Sequence, residues 1–166
     1  WARHLGATVI GTTTSPSKVA LCKANGCDHV LNSHEAGWEK QVRQITGGVG
    51  VPVVYDSIGK DTFLAGLDCL AVRGIMVTYG NASGPVDPFS PSLLAAKGSL
   101  FVTRPTLGHY TRTQAELQET ADDLFAVIVS GAVKIAINQR FALKDAGKAQ
   151  DALTSKQTTG ATILIP

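Results

Sequence analysis

No apolar run in these 166 residues approaches the roughly 20 that a membrane-spanning helix needs, so no membrane span is expected. Charge is sparse as well, at 17% of residues. The formal net charge is only +2 and the basic residues are scattered, which argues against a nucleic-acid partner. The three cysteines, Cys22, Cys27 and Cys69, form no C-x-x-C pair and leave an odd count. They read as free thiols, and reduced thiols fit a cytoplasmic protein. Cys22 and Cys69 fall in apolar helical stretches, where a small buried hydrophobe is the plain reading. His4, His29, His34 and His109 lie far apart, and no His/Cys/Asp spacing resembles a zinc site, so no metal is expected. Internal repeats and low-complexity segments are absent too. What remains is a 44% hydrophobic chain, long enough for one sizeable globular domain.

The order of elements is α/β. Trp1 to Ala7 reads as the tail of an uncapped helix running into an apolar strand, Thr8 to Ile10. Ser15 is a good N-cap and Pro16 suits the first position of a helix that stops at Gly26 after Asn25. A short strand, His29 to Leu31, precedes a helix marked by Trp38, Val42 and Ile45 at i, i+4, i+7. Val51 to Tyr55 is a buried strand, Phe63, Leu67 and Leu70 a helical stripe, and Gly74 to Tyr79 the next strand. A Gly/Pro/Ser loop from Asn81 to Pro91 leads to a short helix at Leu93 to Ala96 and a strand from Ser99 to Thr103. Beyond Pro105, Thr113 and Glu116 form a capping box for a long helix ending at Gly131. A strand over Val133 to Ile137, a helix over Asp145 to Ser155 and a strand over Ala161 to Ile165 complete the pattern. Strands alternating with helices imply parallel βαβ units: a Rossmann-like, doubly wound sheet.

The phosphate-binding G-x-G-x-x-G of such a sheet is missing. Gly47-Gly48-Val49-Gly50 does not replace it, because it follows a helix and precedes a strand, the reverse of a phosphate cradle. The expectation is a dinucleotide-binding unit over residues 1–105 that lacks its first strand and glycine loop, then a C-terminal segment over 106–166.

From Thr8 to Asn25 there is no acidic residue. An NAD-preferring unit typically ends its second strand with Asp or Glu on the ribose 2′-hydroxyl. Lys18 instead falls in the first turn of a helix, where the dipole disfavours a cation. Beside Ser15 and Ser17, it fits an adenosine 2′-phosphate and so NADP(H); the plainer alternative is a solvated surface lysine. Ligands of parallel sheets bind beyond the C-terminal strand ends, which singles out Ser33, Asp56-Ser57 and Tyr79-Gly80-Asn81. Ser33 and Ser57, each taken alone, read first as caps of the following helices, whereas Gly80 after an aromatic lets a nicotinamide approach the backbone. Asp56 has no neighbour to make it a general base. Arg104 is placed to meet a phosphate or a carboxylate. No catalytic residue is identifiable.

Val54 to Thr62, Leu67 to Leu70, Arg73-Gly74, Tyr79 to Pro85, Lys97 to Pro105, Thr158 to Thr162 and the closing Ile163 to Pro166 resemble the zinc-free quinone oxidoreductases. These are the zeta-crystallin-like members of the medium-chain dehydrogenase/reductase superfamily. The resemblance implies NADPH-dependent quinone reduction without zinc. It implies that Lys18 holds the 2′-phosphate with Thr14 and Ser15 in the same loop, and that Ser33 and Ser57 lie near the adenosine. Tyr79, Gly80, Asn81 and Thr103 would border the nicotinamide, and Lys156 would reach a cofactor phosphate. The family often has Gly at Thr14, Tyr at Ser33 and Arg at Lys156; losing that tyrosine removes a stacking surface, and Lys for Arg loses the bidentate fork. The same resemblance places the quinone pocket largely in a preceding domain, leaves two unpaired sheet edges, and makes this segment inactive by itself. It pairs the Ser99 to Thr103 edge strand with its twin in a homodimer. A non-catalytic association module and another Rossmann-like nucleotide binder are the alternatives.

Overall fold

The computed structural model describes residues 1–155 and 158–166. They form two compact units, Ala2–Leu117 and Gln118–Pro166. The first is α/β with every strand pair parallel: β1 (Ile10–Thr12) pairs with β2 (His29–Leu31), while β3 (Val51–Asp56), β4 (Leu70–Thr78) and β5 (Phe101–Thr103) form a second sheet. Among the described residues, β1, β2, β3 and β5 each carry one unpaired edge. Helices α1 (Val19–Ala24), α2 (Trp38–Ile45), α3 (Phe63–Cys69) and α4 (Ser92–Ala96) connect the strands. This is the Rossmann-like order that the alternation predicts.

Alternation along β3 to β5 decides where the core lies. Val54, Met76 and Val102 are register partners on one face of the sheet. There they pack with Phe63 and Leu67 of α3, Leu70 and Leu100. Burying such side chains stabilises by about 1.5–3 kcal/mol each. Phe89, from the loop after β4, lies over Phe63 with ring centroids 5.2 Å apart. Arg43 on α2 ties this region together through backbone carbonyls, donating to Asp68 O at 2.9 Å, Val49 O at 2.9 Å and Leu70 O at 2.6 Å.

Several boundaries differ from the sequence expectation. Residues 1–7 are hydrogen-bonded turns rather than helix: Ala7 N donates to Ala2 O and Gly6 N to Arg3 O, with Gly6 at φ 86°, the bonding pattern of a helix end. The first strand begins at Ile10, not Thr8. Pro16–Lys18 is a 3₁₀ turn leading into α1, and Ser15 sits at its N-cap without a capping side-chain bond. The Ser15 hydroxyl engages Ser17 Oγ at 2.8 Å instead. Leu70 opens β4 rather than closing α3, because the chain turns sharply through Arg73 (φ 61°) and the register with β3 slips between Val51 and Val53. Gly47–Gly50 is the connecting turn that its position predicts.

In the second unit, β6 (Ile137–Ala142) pairs in parallel with β7 (Ala161–Ile165), and α7 (Ala146–Thr154) connects them. The strand expected at Val133 to Ile137 lies later. Val133 N still donates to Val127 O, so the turn ending the preceding helix consumes that stretch, and pairing with Ala161 starts at Ile137. That helix, α6 (Gln114–Val129), starts with the expected capping box: Glu116 N donates to Thr113 Oγ1 at 3.2 Å and Thr113 N to Glu116 Oε2 at 2.9 Å. The short α5 (Leu107–Tyr110) is a helix that the sequence did not announce.

Candidate functional site

The expected site residues gather at the C-terminal ends of the two sheets. At the β1–β2 end, Thr13 N donates to Leu31 O and continues the ladder one residue past β1. Thr13 Oγ1 then accepts from Ser15 N at 3.2 Å, which bends the chain into the Pro16–Lys18 turn. Lys18 N donates to Ser15 O, and Lys18 stands at the N-cap position of α1 with no acidic residue in the first turn. A cavity of about 240 Å³ opens here, walled in part by Thr13, Pro16, Val19, Leu31, Asn32 and Glu35. Ser33 is half-buried on the adjoining bend and Thr14 is exposed.

Glu35 was missed by the sequence reading. It lies outside the acid-free window and reaches the cavity wall because the β2–α2 loop folds back, with Asn32 Nδ2 donating to Glu35 Oε1 at 3.2 Å. An Asn-x-x-Glu spacing after a strand is its only local signal, and a weak one.

At the β3–β4–β5 end, two loops are stitched together. Asp56 is 5% exposed, and its Oδ1 accepts from Ile58 N at 2.8 Å, Gly59 N at 3.2 Å and Thr62 Oγ1 at 2.9 Å. Its backbone carbonyl accepts from Tyr79 N at 2.9 Å. Ser83 N donates to Ile58 O at 2.8 Å, and Ala82 N to Ser57 O at 3.3 Å. The result is a platform of Ser57, Gly80 and Asn81, with Tyr79, 51% exposed, beside it. Asp56 is therefore a loop anchor. Arg104, at the end of β5, donates from Nη1 to Thr78 O at 3.2 Å and Gly80 O at 3.0 Å, so it meets backbone carbonyls rather than an acidic side chain. Thr103 is exposed at the end of the same strand. Thus the fold brings Ser57, Tyr79, Gly80, Asn81 and Thr103 to one sheet end and Thr14, Ser15, Lys18 and Ser33 to the other. Lys156 lies outside the described residues.

Two chemistries are available: an anion-compatible turn with hydroxyls and a lysine, and a rigid, largely backbone platform that can take a flat ring. Among the described residues, no three His, Cys, Asp or Glu side chains group as metal ligands, and no helix is long and apolar enough to cross a membrane.

Known proteins sharpen this picture. The profile of the zinc-binding dehydrogenases matches residues 1–126. A quinone oxidoreductase of Pseudomonas aeruginosa is 47% identical over 166 residues, covering all of this chain and 51% of that protein. A 2-haloacrylate reductase of Burkholderia is 44% identical over 167 residues, covering all of this chain and 50% of that protein. The crystal structure of Escherichia coli quinone oxidoreductase complexed with NADPH superposes with a TM-score of 0.94 at 43% identity, over all of this chain and 52% of that one. The chain thus spans about half the length of the curated relatives it matches. With parallel βαβ units ending in these loops and a family match that takes in both of them, the chain belongs to the zinc-binding dehydrogenase family.

Proposed function

We propose that this chain is the cofactor-binding part of a zinc-independent, NADPH-dependent quinone reductase. Thr14, Ser15 and Lys18 take the adenosine 2′-phosphate, Ser33 and Ser57 lie along the adenosine side, and Tyr79, Gly80, Asn81 and Thr103 border the nicotinamide. Lys156 belongs to the same set by resemblance alone. One observation carries the cofactor choice: a lysine opens a helix at the end where the dipole disfavours it, with no acidic residue in that turn and two serine hydroxyls beside it. The cavity wall suits the same group. Glu35, on the cavity wall, offers an acceptor to the remaining 3′-hydroxyl of that ribose, while the phosphate falls to the turn that carries the lysine.

When bound, NADPH supplies the hydride. The chain's own residues bind and orient it: Lys18 neutralises a phosphate, and the Tyr79–Asn81 segment fixes the plane against which the nicotinamide lies. The reading draws support from the quinone oxidoreductases of P. aeruginosa and E. coli, the latter crystallised with NADPH.

Fluorescence titration with NADPH and NADH is the direct test. The wild type should favour NADPH by about tenfold or more, and Lys18→Met should abolish the preference. Equal affinities in the wild type sink the assignment. A second reading has its own observation: β5 is an edge strand whose Phe101 is 55% exposed, which fits pairing of Ser99 to Thr103 with a second copy. Sedimentation equilibrium decides it, a monomer at high concentration ruling against that role.

A further inference from the structure

The β4–β5 ladder stops at the pair Val77↔Thr103. Arg104 and Pro105 follow on β5, and a proline has no N–H with which to carry a ladder onward. Beyond that point, the carbonyls of Thr78 and Gly80 are met by a side chain. Arg104 Nη1 donates to both, at 3.2 and 3.0 Å. On its other flank, the segment after β4 is bonded to the loop after β3 through Tyr79 N, Ala82 N and Ser83 N. Among the described hydrogen bonds, only those of Arg104 tie it to the β5 side.

We propose that Arg104 is a positioning residue. Its guanidinium extends the sheet by one rung where the backbone cannot, and holds Tyr79-Gly80-Asn81 at a fixed height beside the nicotinamide. The proposal rests on the cofactor reading for its functional part. Its structural part stands without it: two charge-assisted bonds from one nitrogen replace a missing backbone donor. A guanidinium suits this better than an ammonium, because its N–H groups point in fixed directions within one plane.

The experiment compares Arg104→Met and Arg104→Lys with the wild type in this polypeptide, using two ligands and amide hydrogen exchange. NADPH contains the nicotinamide, whereas adenosine 2′,5′-bisphosphate lacks it and reports on the adenosine end. Arg104→Met should weaken NADPH about tenfold and leave the bisphosphate within about twofold. Exchange at Tyr79, Gly80, Ala82 and Ser83 should accelerate about tenfold, while the amides of Val54 and Met76 stay protected and show that the core is folded. Arg104→Lys should recover part of both effects. Unchanged exchange in the loop overturns the latch, and equal weakening of both ligands overturns its positioning role. If the wild type binds neither ligand, the cofactor reading fails and the functional part of the proposal with it, while the exchange measurement still decides the latch.

Discussion

Replacing Gly80 by alanine places one methyl group against the peptide of Ser57. A Cβ built there meets Ser57 O at 2.0 Å and Ser57 C and Cα at 2.6 Å, and all three are backbone atoms that no rotamer change can move. Carbon and oxygen need about 3.2 Å, so the two loops must part by about 1 Å. Overpacking of this kind costs about 1–3 kcal/mol. Separation also weakens the Tyr79 N to Asp56 O and Ala82 N to Ser57 O bonds, each worth about 1 kcal/mol net. The sum is about 3–5 kcal/mol, or a melting temperature lower by about 10 °C. Gly80 does not have a left-handed φ, so alanine suits its backbone and the contact alone is tested. Gly108, in α5 of the same unit, is the control: nothing lies within 4 Å of its Cβ position. Gly108→Ala should be neutral or stabilise by up to about 1 kcal/mol. Thermal melts followed by circular dichroism, with urea midpoints alongside, measure both variants. A Gly80→Ala melt within about 2 °C of the wild type, or an equal fall for Gly108→Ala, refutes the close-packed platform.

Leu67 is fully buried in the α3–β4 core, so Leu67→Ala should lower the urea-extrapolated stability by about 2–5 kcal/mol, and a loss below about 1 kcal/mol contradicts the packing described. Burial, then the nearby charges of Glu39 and Asp68, push the Cys69 thiol up to about 12 against the opposing pull of Arg43. At pH 8 a disulfide reagent should therefore modify half-buried Cys22 and Cys27 but spare Cys69 until urea is added, and release of all three thiols at once would argue against that burial. Hydrogen bonds within the Thr113–Glu116 box, first from the Thr113 amide, hold the Glu116 carboxyl below its ordinary value. Its contribution is thus present at neutral pH and lost as the pH falls below the ordinary glutamate range. The helical ellipticity should drop over that range, and Glu116→Gln should remove Glu116's share of the change.

Features written within one turn or one strand were legible in the residues. The Trp38–Val42–Ile45 stripe gave α2, the apolar run before Asp56 gave β3, and Thr113 with Glu116 gave the start of α6, because each depends on neighbours a few positions away. The strand-end positions of Ser33, Ser57 and Tyr79 to Asn81 followed from the parallel order alone. Long-range pairing settled the rest. Leu70 reads as helical by spacing yet opens β4, since its register is set by β3. The polar Asn138, Gln139 and Arg140 hide β6, which exists because β7 pairs with it. Glu35 reaches the cavity, and Arg104 reaches two carbonyls more than twenty residues back, only once loops distant in sequence are brought side by side. Periodicity and capping are local and survive in a string of letters. Register, loop-to-loop contact and the partner of a long side chain are set by which distant backbone stands opposite, and only the folded chain decides that.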